Sequence, residues 1–328
     1  MVQAAGGQAK DTGGALVGVL CALGASTAFS LNDMGIKFLS GDYPLHQVVL
    51  VRASIGLLVT MAIFMPLEGG LRNMRTKRPL THLLRGLCVV AANMTFFAAI
   101  AALPLADAVA IFFVAPLLIT AMSVVILKEH VGPRRWAAIL VGLLGVLIIV
   151  RPGGAGFQVA AVLPLIAATA YALLHIMTRR LGITESASTM AFYIQVTFVI
   201  VSGGIGLVLG DGAFAGASHP SLEFLLRAWV WPQAGDVLIM VGLGIASATG
   251  GYLISQAYRI SEAGLIAPFE YTALIMAVFW GYLIWGEWPI PVVWVGIALV
   301  LASGIYMALR EARVGARPSA KQASARRS

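Results

Sequence analysis
Residues 263–286 read AGLIAPFEYTALIMAVFWGYLIWG. At about 1.5 Å rise per residue, a helix of this length crosses a hydrocarbon core of roughly 30 Å. Its single charge is Glu270. A carboxylate at membrane depth costs on the order of 2.5–3.5 kcal/mol unless it faces protein or water. Glu270 is therefore a functional-site candidate. The structural alternative is a carboxylate that a neighbouring helix satisfies to lock packing.

The rest of the chain has the same character. It is 59% hydrophobic and 11% charged over 328 residues, against about 45–50% and 25% for an ordinary soluble domain. The spacing predicts ten apolar segments, at 13–38, 45–66, 81–102, 104–127, 134–150, 157–179, 188–209, 236–259, 263–286 and 291–309. These runs are too long for β-barrel strands, so the fold class is all-α integral membrane. Residues 1–12 and the basic tail 311–328 are expected to be disordered. The longest connection, 210–235, holds SLEFLLRAWVWP and predicts a short interfacial element. The net charge of +8 lies in loops and tail, and the apolar runs exclude a soluble nucleic-acid binder. Cys21 and Cys88 sit inside apolar runs and form no disulfide framework. His46, His82, His130, His175 and His219 show no metal-ligand spacing, and no cofactor motif is present. No HExxH, phosphate loop or Ser/His/Asp order points to an enzyme, and no catalytic residue is assigned.

With the N-terminus inside, seventeen of the 22 Lys and Arg fall on the inner side and three on the outer, with Arg52 and Arg85 within helices. This imbalance predicts cytoplasmic termini. The chain also repeats. A shift of 158 residues places Glu129, Pro133 and Trp136 on Glu287, Pro291 and Trp294, and a shift of 142 places Thr27 on Thr169, Asp33 on His175 and Lys37 on Arg179. Two units follow, 13–152 and 153–310. Each has five helices, an odd number, so the second is inserted upside down. Ten transmembrane helices as two inverted five-helix repeats are the signature of carriers that hold substrate near the midplane.

Helix midpoints supply the candidate binding residues: Thr27, Asn93, Thr169, Tyr171 and Thr249, with Tyr252 and Gln256 one turn apart on a shared face. The fourth segment adds Phe112 and Phe113 beside Pro116. The ninth adds Glu270, Tyr271 and Trp280 after Pro268. Proline inside a membrane helix frees a carbonyl and is tolerated against protein or a cavity. Serines and threonines at such positions equally serve close packing or bond their own backbone. Candidates for proton coupling are Glu270, Asp33 and His175, because burial disfavours a charged carboxylate. Asp33 and Lys37, spaced i, i+4, are expected to pair. Arg52 is expected to snorkel outward. Asp107 and Glu262 suit the first turns of their helices, and Glu129 and Glu287 are read as interfacial.

The stretches RASIGLLV, LPLADAVAIFFVAPLLITAMSVVILKEHVGPRRWAAILVGLLGVLIIVRPG and ISEAGLIAPFEYTALIMAVFWGYLIWGE resemble the drug/metabolite transporter superfamily, specifically an EamA-type carrier with two EamA repeats. The resemblance covers about residues 14–310. It implies a central cavity between the halves and movement of small organic solutes across the inner membrane. LPLADA and APFEYTAL are similar to members assigned to riboflavin uptake, S-adenosylmethionine uptake or opine-metallophore export. The expected function is a secondary, alternating-access transporter of a small metabolite, with protons as the candidate coupling ion. The alternatives are an exporter of metallophore, amino-acid or drug-like compounds and, more remotely, a channel or non-transporting scaffold. The expected partners are the solute and the lipid bilayer. The Gly- and Ala-rich helices 5 and 10 offer either a homodimer face or close internal packing.

Overall fold
A computed structural model describes residues 3–70, 74, 76, 78–128, 131–152, 158–181, 186–261 and 263–315. Glu129, His130, Glu262 and the tail from 316, all discussed above, lie outside the described residues, as do Arg72, Arg75 and Lys77 of the inner-side charge count. The elements are α1 (Gln3–Leu39), α2 (Leu45–Val59), a π-helical turn (Thr60–Phe64), α3 (Met65–Leu67), α4 (Pro79–Ile100), α5 (Leu105–Phe112), α6 (Ala115–Leu127), α7 (Pro133–Val150), α8 (Val162–Leu181), α9 (Ala187–Leu209), α10 (Pro220–Leu226), α11 (Ala234–Ile260), α12 (Ala263–Glu270), α13 (Thr272–Trp285) and α14 (Pro291–Gly315). Among the described residues nine helices, counting α5 with α6, are long and apolar enough to cross a membrane. The ninth predicted segment, 263–286, folds as two shorter helices, α12 and α13.

Local chemistry sets these boundaries. Pro79, Pro133, Pro220 and Pro291 stand in the first turns of their helices, where a missing N–H costs nothing. Ser186 caps α9 by accepting from the Thr189 N–H at 3.2 Å. The expected short element in 210–235 is α10.

Two spans are broken, and at equivalent places. α5 ends at Phe112 and the chain resumes as α6 at Ala115, with Pro116 in its first turn; α12 contains Pro268 and ends at Glu270. The shift of 158 places Phe113 on Tyr271, the residue between α12 and α13. It also places Lys128 on Gly286, both left-handed, with φ of 57° and 67°.

Exchanging the halves converts helix neighbours into helix neighbours. α1 packs on α11 as α8 packs on α4, and α2 packs on α11 as α9 packs on α4, while α7–α14 and α2–α9 map onto themselves. Along α7–α14 a Cβ on Gly145 would lie 2.8 Å from the Gly296 carbonyl oxygen, and one on Gly296 2.7 Å from that of Gly145. The small residues of α7 and α14, the fifth and tenth predicted segments, therefore serve a close backbone approach inside the chain.

The bundle is tied at both ends. At one, Lys37 pairs with Glu287 at 2.6 Å. Nearby, Tyr43 donates to Asp236 at 2.6 Å, and Gln47 exchanges two hydrogen bonds with Val230. The bond to Asp236 holds Tyr43 ionisation above the ordinary phenol range. At the other end, Glu68 accepts from the Ser188 N–H at 2.9 Å and from Gln256 at 3.2 Å.

Candidate functional site
The two broken spans meet. The rings of Phe113 and Tyr271, equivalent residues at the two breaks, lie 4.7 Å apart. On one side, Phe112 packs on Tyr171 at 5.5 Å, and Tyr171 meets His175 edge-on at 4.5 Å. Glu270, next to Tyr271, is close enough for its charge to act on both the Tyr171 and Tyr271 hydroxyls. Six predicted residues thus converge: Phe112, Phe113, Tyr171, His175, Glu270 and Tyr271. Breaking α5–α6 and α12–α13 ends the helical hydrogen-bond ladder beside this cluster, as in carriers whose substrate sits at discontinuous helices.

Tyr271 is held rigidly. It is 5% exposed, and its ring edge occupies the space beside Gly304, where a Cβ would sit 1.7 Å from the hydroxyl oxygen. That hydroxyl has no hydrogen-bond partner among the described residues. A buried, unused donor beside a carboxylate and tilted aromatic rings suits a planar solute bearing polar groups.

Other predicted residues lie elsewhere. Tyr252 stacks flat on Phe64 at 4.2 Å and Gln256 bonds Glu68, so this pair joins α11 to the far end of the α2 span. Thr27 and Thr169, equivalent in the repeat, are both exposed and both donate to the carbonyl four residues earlier. Asn93 donates to its own helix at Val89, and Thr249 is half-buried in α11. Trp280 packs against the core edge-on to Phe279, and its indole N–H is buried without a partner among the described residues.

Three expectations are corrected. Asp33 does not pair with Lys37. It accepts from Asn32 at 3.2 Å, while Lys37 reaches Glu287 across the bundle. Glu287 is accordingly an ion-pair partner rather than a free interfacial carboxylate. Arg52 does not snorkel. It is 2% exposed, its guanidinium lies 5.1 Å from the Phe97 and Phe198 rings, and it donates to Asn32 at 3.2 Å. Asn32 thereby bridges buried Arg52 and half-buried Asp33 into a polar triad that the sequence reading missed. The signal was present in Arg52 itself, a lone charge inside an apolar run. Phe97, Phe96, Phe112 and Tyr171 form a run of ring contacts from this triad to the Glu270 cluster.

A cavity of about 460 Å³ lies between α1, α11 and α13, lined by residues such as Met34, Phe38, Leu243 and Ile284. It contains no candidate residue, and its apolar wall suits hydrocarbon rather than a polar solute. Among the described residues no group of His, Cys, Asp and Glu could hold a metal.

Residues 16–151 match the EamA-like transporter family. The chain is 28% identical to a riboflavin transporter of Rhizobium johnstonii, over 93% of this chain and 95% of that one. It is 23% identical to an S-adenosylmethionine uptake transporter of Rickettsia prowazekii, over 86% and 89%. It is 27% identical to the pseudopaline exporter CntI of Pseudomonas aeruginosa, over 88% and 92%. A crystal structure at 21% identity shares the fold, with a TM-score of 0.61 over 92% of this chain and 99% of that one.

Proposed function
We propose, from its place among EamA-type carriers of the drug/metabolite transporter superfamily, that this small-molecule transporter moves an organic metabolite across the inner membrane by alternating access. Both termini face the cytoplasm on the charge count, and the Lys37–Glu287 end is then the outer one. Residues 13–152 and 153–310 are the two inverted repeats, a reading supported by the exchange of helix neighbours between halves. The substrate is a riboflavin-like, S-adenosylmethionine-like or amino-acid-derived compound. The observation that carries this is the meeting of two broken spans at Phe113 and Tyr271, with Glu270 within electrostatic reach of Tyr171 and Tyr271. Aromatic faces take a planar ring system, and Glu270 takes a cationic or donor group or a proton. Asp33 and His175 are the other candidates for proton coupling. The remaining predicted residues, Thr27, Asn93, Thr169, Thr249, Tyr252, Gln256 and Trp280, are outside this central clamp.

A second reading, export, rests on the likeness to the pseudopaline exporter. The same site serves either direction, because alternating access is reversible and gradients set the sign of flux.

The test is a thermal-shift screen of the detergent-purified chain against flavins, nucleosides, S-adenosylmethionine, amino acids, polyamines and opine-type chelators. A ligand at a hundredfold excess over Kd stabilises the folded state by about 2.7 kcal/mol. A hit that is lost in Glu270→Gln supports the central site. A hit unchanged in Glu270→Gln and in Phe113→Ala contradicts it.

A further inference from the structure
We propose that Lys37, Glu287 and the Leu103–Leu105 turn form the latch of the outer gate, and that α5 links this latch mechanically to the substrate site. The inference rests on the carrier reading above and adds to it which contact must break.

Lys37 is 8% exposed. Its Nζ donates to both Glu287 carboxylate oxygens, at 2.6 and 2.7 Å, and to the Leu103 carbonyl at 2.8 Å, and it lies 4.9 Å from the Trp285 ring centre. Glu287 Oε2 in turn accepts from the Leu105 N–H at 3.0 Å. One ion pair therefore joins three chain segments: the end of α1, the α4–α5 turn and the α13–α14 turn. Lys37 takes a carbonyl at the end of α4, and Glu287 takes an amide at the start of α5. Both halves of the turn are held.

An ion pair with Lys37 buried and Glu287 half-buried suits a two-state contact. It adds little over an apolar contact of the same size, whereas removing one partner strands a charge. Near the membrane surface, parting the segments hydrates both charges together, so opening strands neither. Two further groups are placed to receive them. Asp107, in the first turn of α5, is within electrostatic reach of Lys37, Glu287 and Arg151. Asp107 Oδ1 and Arg151 Nε are buried without a hydrogen-bond partner among the described residues.

From the latch, α5 runs eight residues to Phe112, about 12 Å at 1.5 Å per residue. Phe112 touches Tyr171, and Phe113, the next residue, touches Tyr271. The break before Ala115 uncouples α5 from α6, so this half-helix can tilt as a unit. Latch and clamp are the two ends of one rigid segment.

The test uses Ser30→Cys as a reporter, in full-length chain with Cys21→Ser and Cys88→Ser. Ser30 is 3% exposed, and its hydroxyl has no partner among the described residues, so the substitution removes no bond. It lies on α1 about 10 Å below Lys37. The readout is the rate of labelling by a membrane-impermeant maleimide added from outside. Lys37→Gln and Glu287→Gln are each expected to raise the rate about tenfold. Phe113→Ala, which touches no latch atom, is expected to raise the rate about threefold, and Leu118→Ala on α6 to leave it unchanged. Unchanged labelling in both Gln variants, judged on protein that elutes as a single species, overturns the latch. An unchanged rate in Phe113→Ala overturns the lever. Saturable riboflavin flux in liposomes tests the carrier reading separately, because labelling needs no transport.

Discussion

Gly304→Ala tests the seat of Tyr271 without replacing any residue assigned to the clamp. The new Cβ would lie 1.7 Å from the Tyr271 hydroxyl oxygen and 2.5 Å from the carbon bearing it. The ring must then move by more than about 1.5 Å to restore an ordinary contact of about 3.5 Å. Such overpacking costs about 1–3 kcal/mol in a well-packed core. Tyr271→Phe removes the atom in closest conflict. It also removes a buried hydroxyl without a partner among the described residues, a kind of group that costs about 1–3 kcal/mol to bury. Tyr271→Phe alone is therefore expected to be at least as stable as the parent. Combined with Gly304→Ala it should recover part of the loss, with a coupling of about 0.5–3 kcal/mol for two touching residues. The assay is a double-mutant cycle on unfolding in detergent, with ligand binding as a second readout. Gly304→Ala is expected to weaken binding as well, because it displaces the ring that faces Phe113. An unaltered stability in Gly304→Ala, or additive effects in the double variant, refutes the seat and the role built on it.

Arg52→Met is expected to destabilise the fold by about 1–3 kcal/mol, because it leaves the buried Asn32 side-chain oxygen without its donor and takes an opposite charge away from half-buried Asp33; Arg52→Met with Asp33→Asn should recover part of this on a denaturant titration. Gly145→Val drives a side chain into the Gly296 carbonyl and should lower the thermal midpoint, whereas Gly132→Ala, with open space around it, should leave it unchanged. Glu270→Gln is expected to remove ligand-dependent stabilisation, read as the loss of the difference between thermal midpoints with and without ligand.

Much of this was legible in the chain. Apolar run length gave the spans, and Pro116 and Pro268 marked the two that break, because proline cannot complete the helical ladder. Glu270 stood out because a lone carboxylate in an apolar run needs a reason. Which side chain faces which was not legible. Membrane helices are apolar all round and lack the polar stripe that orients a soluble helix. Thr27 and Thr169 consequently looked like Tyr171 in the sequence, yet they are exposed and bond their own backbones, as Asn93 also does. Local spacing also misled. Asp33 and Lys37 sit at pairing distance on one helix, but Lys37 finds Glu287, 250 positions away, and Asp33 finds Asn32. Arg52 reads as a snorkelling cation until α4 and α9 bring Phe97 and Phe198 to its two sides.

The central claim is that this chain carries a small organic solute across the membrane through the Phe113–Tyr271 clamp. Its most direct test is counterflow of labelled solute in liposomes, using the compounds that stabilise the purified protein. Saturable exchange that is lost in Glu270→Gln and Phe113→Ala is the predicted result. Flux that rises linearly with concentration, or exchange indifferent to both substitutions, would contradict it.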